Sequence, residues 1–227
     1  MPMKADGRPT EPREIDRWEG GLGWIAHPEE TMQRASHALA TDEGVWLVDP
    51  VDCEGLDELV APLGEVAGVV VLLDRHKRDA AAVARRHDVS VALPRELRDV
   101  AADLDAPTTT FGDELGSTGY RTIPVVDNPL WSEVALYDAE SGTLVVPEAV
   151  GTVDYFVADG EGLGVHPMLR AFPPRKALGG LAVERVLVGH GEGVSSDAAP
   201  TLAAALRNSR RNAPKVYLQA ARGLLPV

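Results

Sequence analysis

GVVVLLDRHKRDAAAVARRHDVSVALP, running from Gly68 to Pro94, decides the architecture. Val69 to Leu73 is an unbroken apolar run, too short for a helix and rich in β-branched residues, so it reads as a strand covered on both faces. Charge follows with no Gly or Pro between: Asp74, Arg75, His76, Lys77, Arg78 and Asp79. Ala80 to His87 has the composition of a good helix, and Val89 to Leu93 is a second buried strand. The helix is long enough for a right-handed crossover between parallel strands. Polar side chains therefore gather at the carboxyl end of a buried strand, the place where open α/β sheets bind ligands.

Upstream, Glu14 to Ala26 suits a bent edge strand or hairpin, and Arg34 to Ala40 with Gly44 to Val48 reads as two strands joined by a turn. Glu54 to Leu63 has apolar residues at helical spacing. Downstream come a short helix over Arg95 to Asp103 and strands at Thr108 to Phe111, Tyr120 to Val126, Glu133 to Asp138 and Thr143 to Val146. Gly151 to Gly164 reads as a glycine-rich surface segment, His166 to Phe172 and Pro174 to Leu181 as helical turns, and Glu184 to Val188 as a last apolar strand. Helices over Asp197 to Arg211 and Val216 to Leu225 close the chain, the first ending in cations as the helix dipole prefers. The order predicts an α/β protein with two mixed sheets and helices outside.

The 227 residues suit one domain over 14–227, after a polar, Pro-containing segment 1–13 that is expected to fray. A formal charge of −13 argues against nucleic acid as a partner and favours neutral or cationic ones, and a small-molecule ligand is the partner class expected. Basic residues are mostly Arg and acids are plentiful, a balance that resembles cytosolic proteins of salt-loving archaea. The single cysteine, Cys53, excludes an internal disulfide and a thiolate metal cluster. No apolar run approaches the ~20 residues of a membrane span, and the first residues lack the apolar core of a signal peptide, so a cytoplasmic location is expected.

Four landmarks then fall in a familiar order. Gly44 to Asp49 is similar to a strand ending in Asp. Val69 to Asp79 lies where a strand would lead into H-x-H-x-D-H, Gly142 to Ala149 where a hairpin would end in G-D-A, and Val186 to Gly191 resembles a closing strand with a G-H-G turn. On these the chain resembles the metallo-β-lactamase superfamily. The resemblance implies an αββα four-layer sandwich and divalent ions held by imidazoles and carboxylates, beside an open position for water.

The ligand pattern departs from that superfamily. Laid on H-x-H-x-D-H, the matched positions carry Asp74, His76, Arg78 and Asp79, so one histidine remains and a cation replaces an acid. No histidine lies in Thr122 to Trp131, just before the Val134 strand, where the resemblance would place one; Glu148 stands for the bridging Asp, and His190 is kept. The ligand set implied is His76, Asp79, Glu148 and His190, with Asp74 as a fifth candidate. That set is thin for two ions and adequate for one Zn, Mn or Fe. Asp49 is expected to brace the loops from behind.

Arg75, Lys77 and Arg78 point to an anionic ligand or to salt bridges with those acids. Two roles stay open. One is an eroded metal site with a binding or structural function, its cations holding a small anion. The other is a hydrolase of esters, thioesters or phosphoesters using a single ion. An α/β binding module unrelated to that superfamily is a third reading. His27, His37 and His166 show no partner pattern, and His87, after Arg85 and Arg86, reads as a solvated helix cap.

Overall fold

The structure, a computed structural model, describes residues 2–223. Two sheets pack face to face, with helices on the outer face of each. The first sheet has seven strands in chain order: β1 (Arg13–Trp18), β2 (Gly21–Ile25), β3 (Ala35–Thr41), β4 (Gly44–Val48), β5 (Val66–Val70), β6 (Val91–Pro94) and β7 (Thr108–Phe111). It is antiparallel through β4 and parallel from β4 to β7. The second sheet contains β8 (Arg121–Asn128), β9 (Trp131–Asp138), β10 (Thr143–Val146) and β13 (Arg185–Val188), in the order β13-β10-β9-β8, with β10 and β13 parallel. A small ladder pairs β11 (Val150–Gly151) with β12 (Gly164–Val165).

Strand periodicity explains why the apolar runs are unbroken. Val69 and Val71 turn outward onto α1 (Leu56–Val60) and α2 (Ala80–Arg86), meeting Leu56, Val60, Val83 and Ala84. Val70 and Leu72 turn inward and meet Leu136, Val145 and Leu187 of the other sheet. The second sheet repeats the arrangement, with Leu144, Val146, Val186 and Val188 facing α3 (Arg175–Leu178) and α4 (Ala198–Gly223). Alternate residues of one strand thus enter two different cores.

Three stretches differ from the reading of the sequence. Arg95–Asp103 winds as a 3₁₀ helix, with Leu97 and Val100 buried. Residues 151–164 are no surface loop: Val153, Phe156, Ala158 and Leu163 are buried, and the stretch runs from β11 into β12. The two C-terminal helices are one, α4, which continues through Pro214. Pro214 offers no N–H to the preceding turn, yet Ala213 and Val216 are both buried beside it, so packing holds the helix across the gap. The end of the expected Val216 to Leu225 helix lies outside the described residues.

The first residues run beside the 27–34 loop. The carbonyls of Pro2 and Met3 accept from the Thr31 and Met32 N–H groups, Ala5 N–H donates to Glu30, and Arg34 donates to the Ala5 carbonyl. Among the described residues no helix is long and apolar enough to cross a membrane.

If both faces of β5 are covered, Val69→Ala and Val70→Ala should each lower stability by roughly 1–3 kcal/mol in chemical denaturation. A near-neutral result at one of them would mean that its layer is missing.

Candidate metal centre

The carboxyl ends of β5, β10 and β13 deliver His76, Glu148 and His190 to one place, where one donor atom from each lies within 4.8 Å of the others. All three are buried, at 4%, 8% and 2% exposure. His190 Nδ1 lies 2.9 Å from the Met32 carbonyl. A carbonyl can only accept, so Nδ1 carries the proton and Nε2 carries the lone pair. That Nε2 is buried without a hydrogen-bond partner. His76 Nδ1 sits 3.0 Å from Asp49 Oδ2, and its Nε2 lies 3.6 Å from Glu148 Oε2. The Asp49 carboxylate thus orients the His76 ring as carboxylates behind metal-binding histidines do. Asp49 is itself fixed by the Leu72 N–H at 2.9 Å, and its backbone is left-handed, at φ 44°.

Both imidazoles are held well below the usual histidine pKa. Burial is the first cause for each, followed by the Arg78 and Arg75 charges for His76, and by His76 and Arg78 for His190. They stay neutral and able to donate a lone pair. Burial also pushes Asp49 up to about 6, against the downward pull of Arg78.

Glu148 has one hydrogen-bonded oxygen and one that faces an imidazole. Arg75 Nε donates to Oε2 at 3.0 Å, while His166 Nε2 faces Oε1 at 3.6 Å. His166 Nδ1 accepts from the Met168 N–H, so the His166 proton is on Nε2, directed at Glu148. Burial, with help from the Arg75 charge, moves the His166 pKa down to about 4. Below Glu148, Glu133 Oε1 accepts the Glu148 and Ala149 N–H groups, each at 2.8 Å, and Oε2 accepts Trp131 Nε1–H at 2.8 Å. Burial raises Glu133 to about 7.

Neither a protein-family model nor a curated protein matches the sequence. Solved structures do match its shape. The DIM-1 metallo-β-lactamase exposed to ceftazidime superposes with a TM-score of 0.61 at 13% identity, over 90% of this chain and all of that one. The chain has the metallo-β-lactamase fold. FIM-1 from Pseudomonas aeruginosa, in its mono-zinc form, matches at 10% identity with a TM-score of 0.54, over 91% of this chain and 99% of that one. The flavodiiron protein of Giardia intestinalis matches at 17% identity and 0.61, over 89% of this chain, which spans only 60% of that longer protein.

Within this metallo-β-lactamase fold the remaining candidates have other partners. Asp79 Oδ2 accepts the Asp52 N–H at 2.8 Å, and Asp74 Oδ2 accepts the Ser132 N–H at 2.8 Å. Lys77 pairs with Asp103 at 2.7 Å. The Arg78 guanidinium donates through Nη1 and Nη2 to the carbonyls of Ala35, Asp49 and Gly189, while its Nε is buried without a partner. Burial lowers its pKa to about 10, which leaves it charged at neutral pH. His166 and Glu133 are the additions that the sequence did not signal. Two neutral imidazoles and one carboxylate, with an unpartnered buried Nε2 among them, suit one divalent ion of the Zn, Mn or Fe type.

Glu133→Gln should cost roughly 1–3 kcal/mol, since an amide N–H₂ would face a backbone or indole donor in a buried place. Denaturant unfolding measures this, and an unchanged midpoint would show that Glu133 does not hold the Glu148 loop.

Proposed function

We propose that the chain is a hydrolase that uses one divalent ion, held by His76, Glu148 and His190, to cleave an ester, thioester or phosphoester. The supporting observation is the buried, unpartnered Nε2 of His190 beside His76 and Glu148. A buried lone pair without a donor costs free energy unless something binds it. Bound there, a divalent ion supplies Lewis acidity and lowers the pKa of water. The chain's own residues do the positioning. Asp49 fixes the His76 tautomer, the Met32 carbonyl fixes that of His190, and His166 faces the far oxygen of Glu148. Burial of the donors keeps bulk water from competing for them. The FIM-1 structure in mono-zinc form is consistent with one ion on this fold.

A second reading is favoured by Arg75. Its Nε engages Glu148 Oε2, the same oxygen that faces His76, so a guanidinium shares the position an ion would need. On this reading the metal site has eroded, and the cleft serves to bind a small anion.

Elemental analysis of protein purified without chelator, at high salt, decides between them. About one ion per chain is expected, lost in His190→Ala. Asp49→Asn should weaken the ion by about 10–100-fold. No metal in the wild type, with none taken up from added Zn, Mn or Fe, would remove the hydrolase and leave the relic.

A further inference from the structure

The three cations that follow β5 have three different fates. Lys77 is neutralised at the surface by Asp103 and Arg78 is consumed by backbone carbonyls, which leaves Arg75. Its side chain is 38% exposed beside donors that are nearly inaccessible, so a ligand arriving from solvent meets it before them. The guanidinium carbon stands 4.3 Å over the Trp131 ring, Nε is spent on Glu148, and Nη1 makes one long contact of 3.4 Å with Asp74. Among the described residues nothing accepts from Nη2. The stacking fixes the plane of the fork, and a planar guanidinium with free N–H groups matches a carboxylate or phosphate.

Beyond the two carboxylates that touch this fork, Asp74 and Glu148, two exposed apolar residues lie on neighbouring segments. Leu130, next to Trp131 in the β8–β9 turn, is 85% exposed, and Met168 is 72% exposed. Trp131 meets His166 edge-on at 4.8 Å, and the Met168 N–H donates to His166 Nδ1, so the backbone segments that carry Leu130 and Met168 border the same ring pair. Either one alone would be ordinary. Together, at the mouth of a site whose exposed group is a cation, they describe a receptor with two kinds of surface.

We infer that the site selects small amphipathic anions: a phosphate or carboxylate head on the Arg75 fork, and an alkyl or aryl body against Leu130 and Met168. This deepens the proposed function by naming its substrate class, and it rests on that cleft being the ligand site. Trp131 acts as a positioning residue, holding Arg75 through its ring.

The test is calorimetric titration with inorganic phosphate and with n-octyl phosphate below its micelle concentration. The protein is used as purified, with metal content measured on the same samples. The octyl ester should bind at least tenfold tighter, the effect of burying about two methylenes. Arg75→Ala should weaken both probes at least about tenfold. Arg75→Gln, which keeps a donor toward Glu148 without the charge, should do the same if the loss is of charge rather than of folding. The double variant Leu130→Ser/Met168→Ser, at two exposed positions, should erase the preference for the octyl ester while leaving phosphate binding unchanged. A preference that survives the double variant, or phosphate binding indifferent to both Arg75 substitutions, overturns the inference. Arg75-dependent octyl phosphate binding by a protein that takes up no metal sinks the hydrolase alone. A bound ion with no preference for the octyl ester sinks the amphipathic ligand alone.

Discussion

The Arg78 guanidinium ties the two sheets together where they meet the site. Its Nη1 donates to the Ala35 carbonyl at 2.5 Å and the Asp49 carbonyl at 2.8 Å, and its Nη2 to the Gly189 carbonyl at 3.0 Å. Those carbonyls stand at the start of β3, the end of β4 and the end of β13. A buried carbonyl beyond a strand end has no ladder partner and needs a donor, and a fork of fixed geometry serves several at once. The Gly189 carbonyl also accepts the Ala35 N–H at 2.9 Å, so the His190 turn and the start of β3 are held twice over. Gly189 has no alternative residue: a Cβ there would lie 2.1 Å from the Pro147 carbonyl oxygen.

The same cation sets the electrostatics. Arg75 and Arg78 face Asp49 and Glu148, two charges of each sign, with the imidazoles neutral. A single dication added to this balance leaves a modest excess that neighbouring carbonyl dipoles can share. A second would double the excess in a volume nearly closed to water, where unpaired charge is expensive. Laid on the motif that the sequence resembles, Arg78 stands where an acid would be expected to hold a second ion. Its charge, after burial, also helps hold protons off His76 and His190 and so keeps both lone pairs available.

What the sequence disclosed follows the same physics. Strands covered on both faces leave unbroken apolar runs, so β5, β10 and β13 were legible, and with them the strand-end positions of Asp49, His76, Glu148 and His190. His166 was hidden because it enters through β12, a strand of two residues too short to impose a period. The stretch before it looked like surface because its glycines and acids outnumber Phe156 and Leu163, which carry the burial. The role of Arg78 was illegible for another reason: its partners are main-chain carbonyls, which any residue supplies. Asp79 reads as a ligand by spacing, yet spacing cannot tell whether a carboxylate turns toward the site or back to the Asp52 N–H.

Glu148 Oε2 is where these constraints meet. It receives the Arg75 hydrogen bond and also faces His76 Nε2, so the guanidinium and the proposed ion would draw on one oxygen. Linkage would then impose reciprocity on the two proposed ligands: an anion that drew Arg75 away from Glu148 would strengthen the ion's hold, and an ion that took the oxygen would free the fork by the same factor. Trp131 stays beneath Arg75 in either case, because its indole N–H is anchored on Glu133, the residue that also fixes the Glu148 backbone. One buried carboxyl therefore positions both competitors for the oxygen above it. The crowding of the site by cations, which at first reads as the loss of a metal centre, is equally the arrangement by which an anion and a metal ion would reinforce each other.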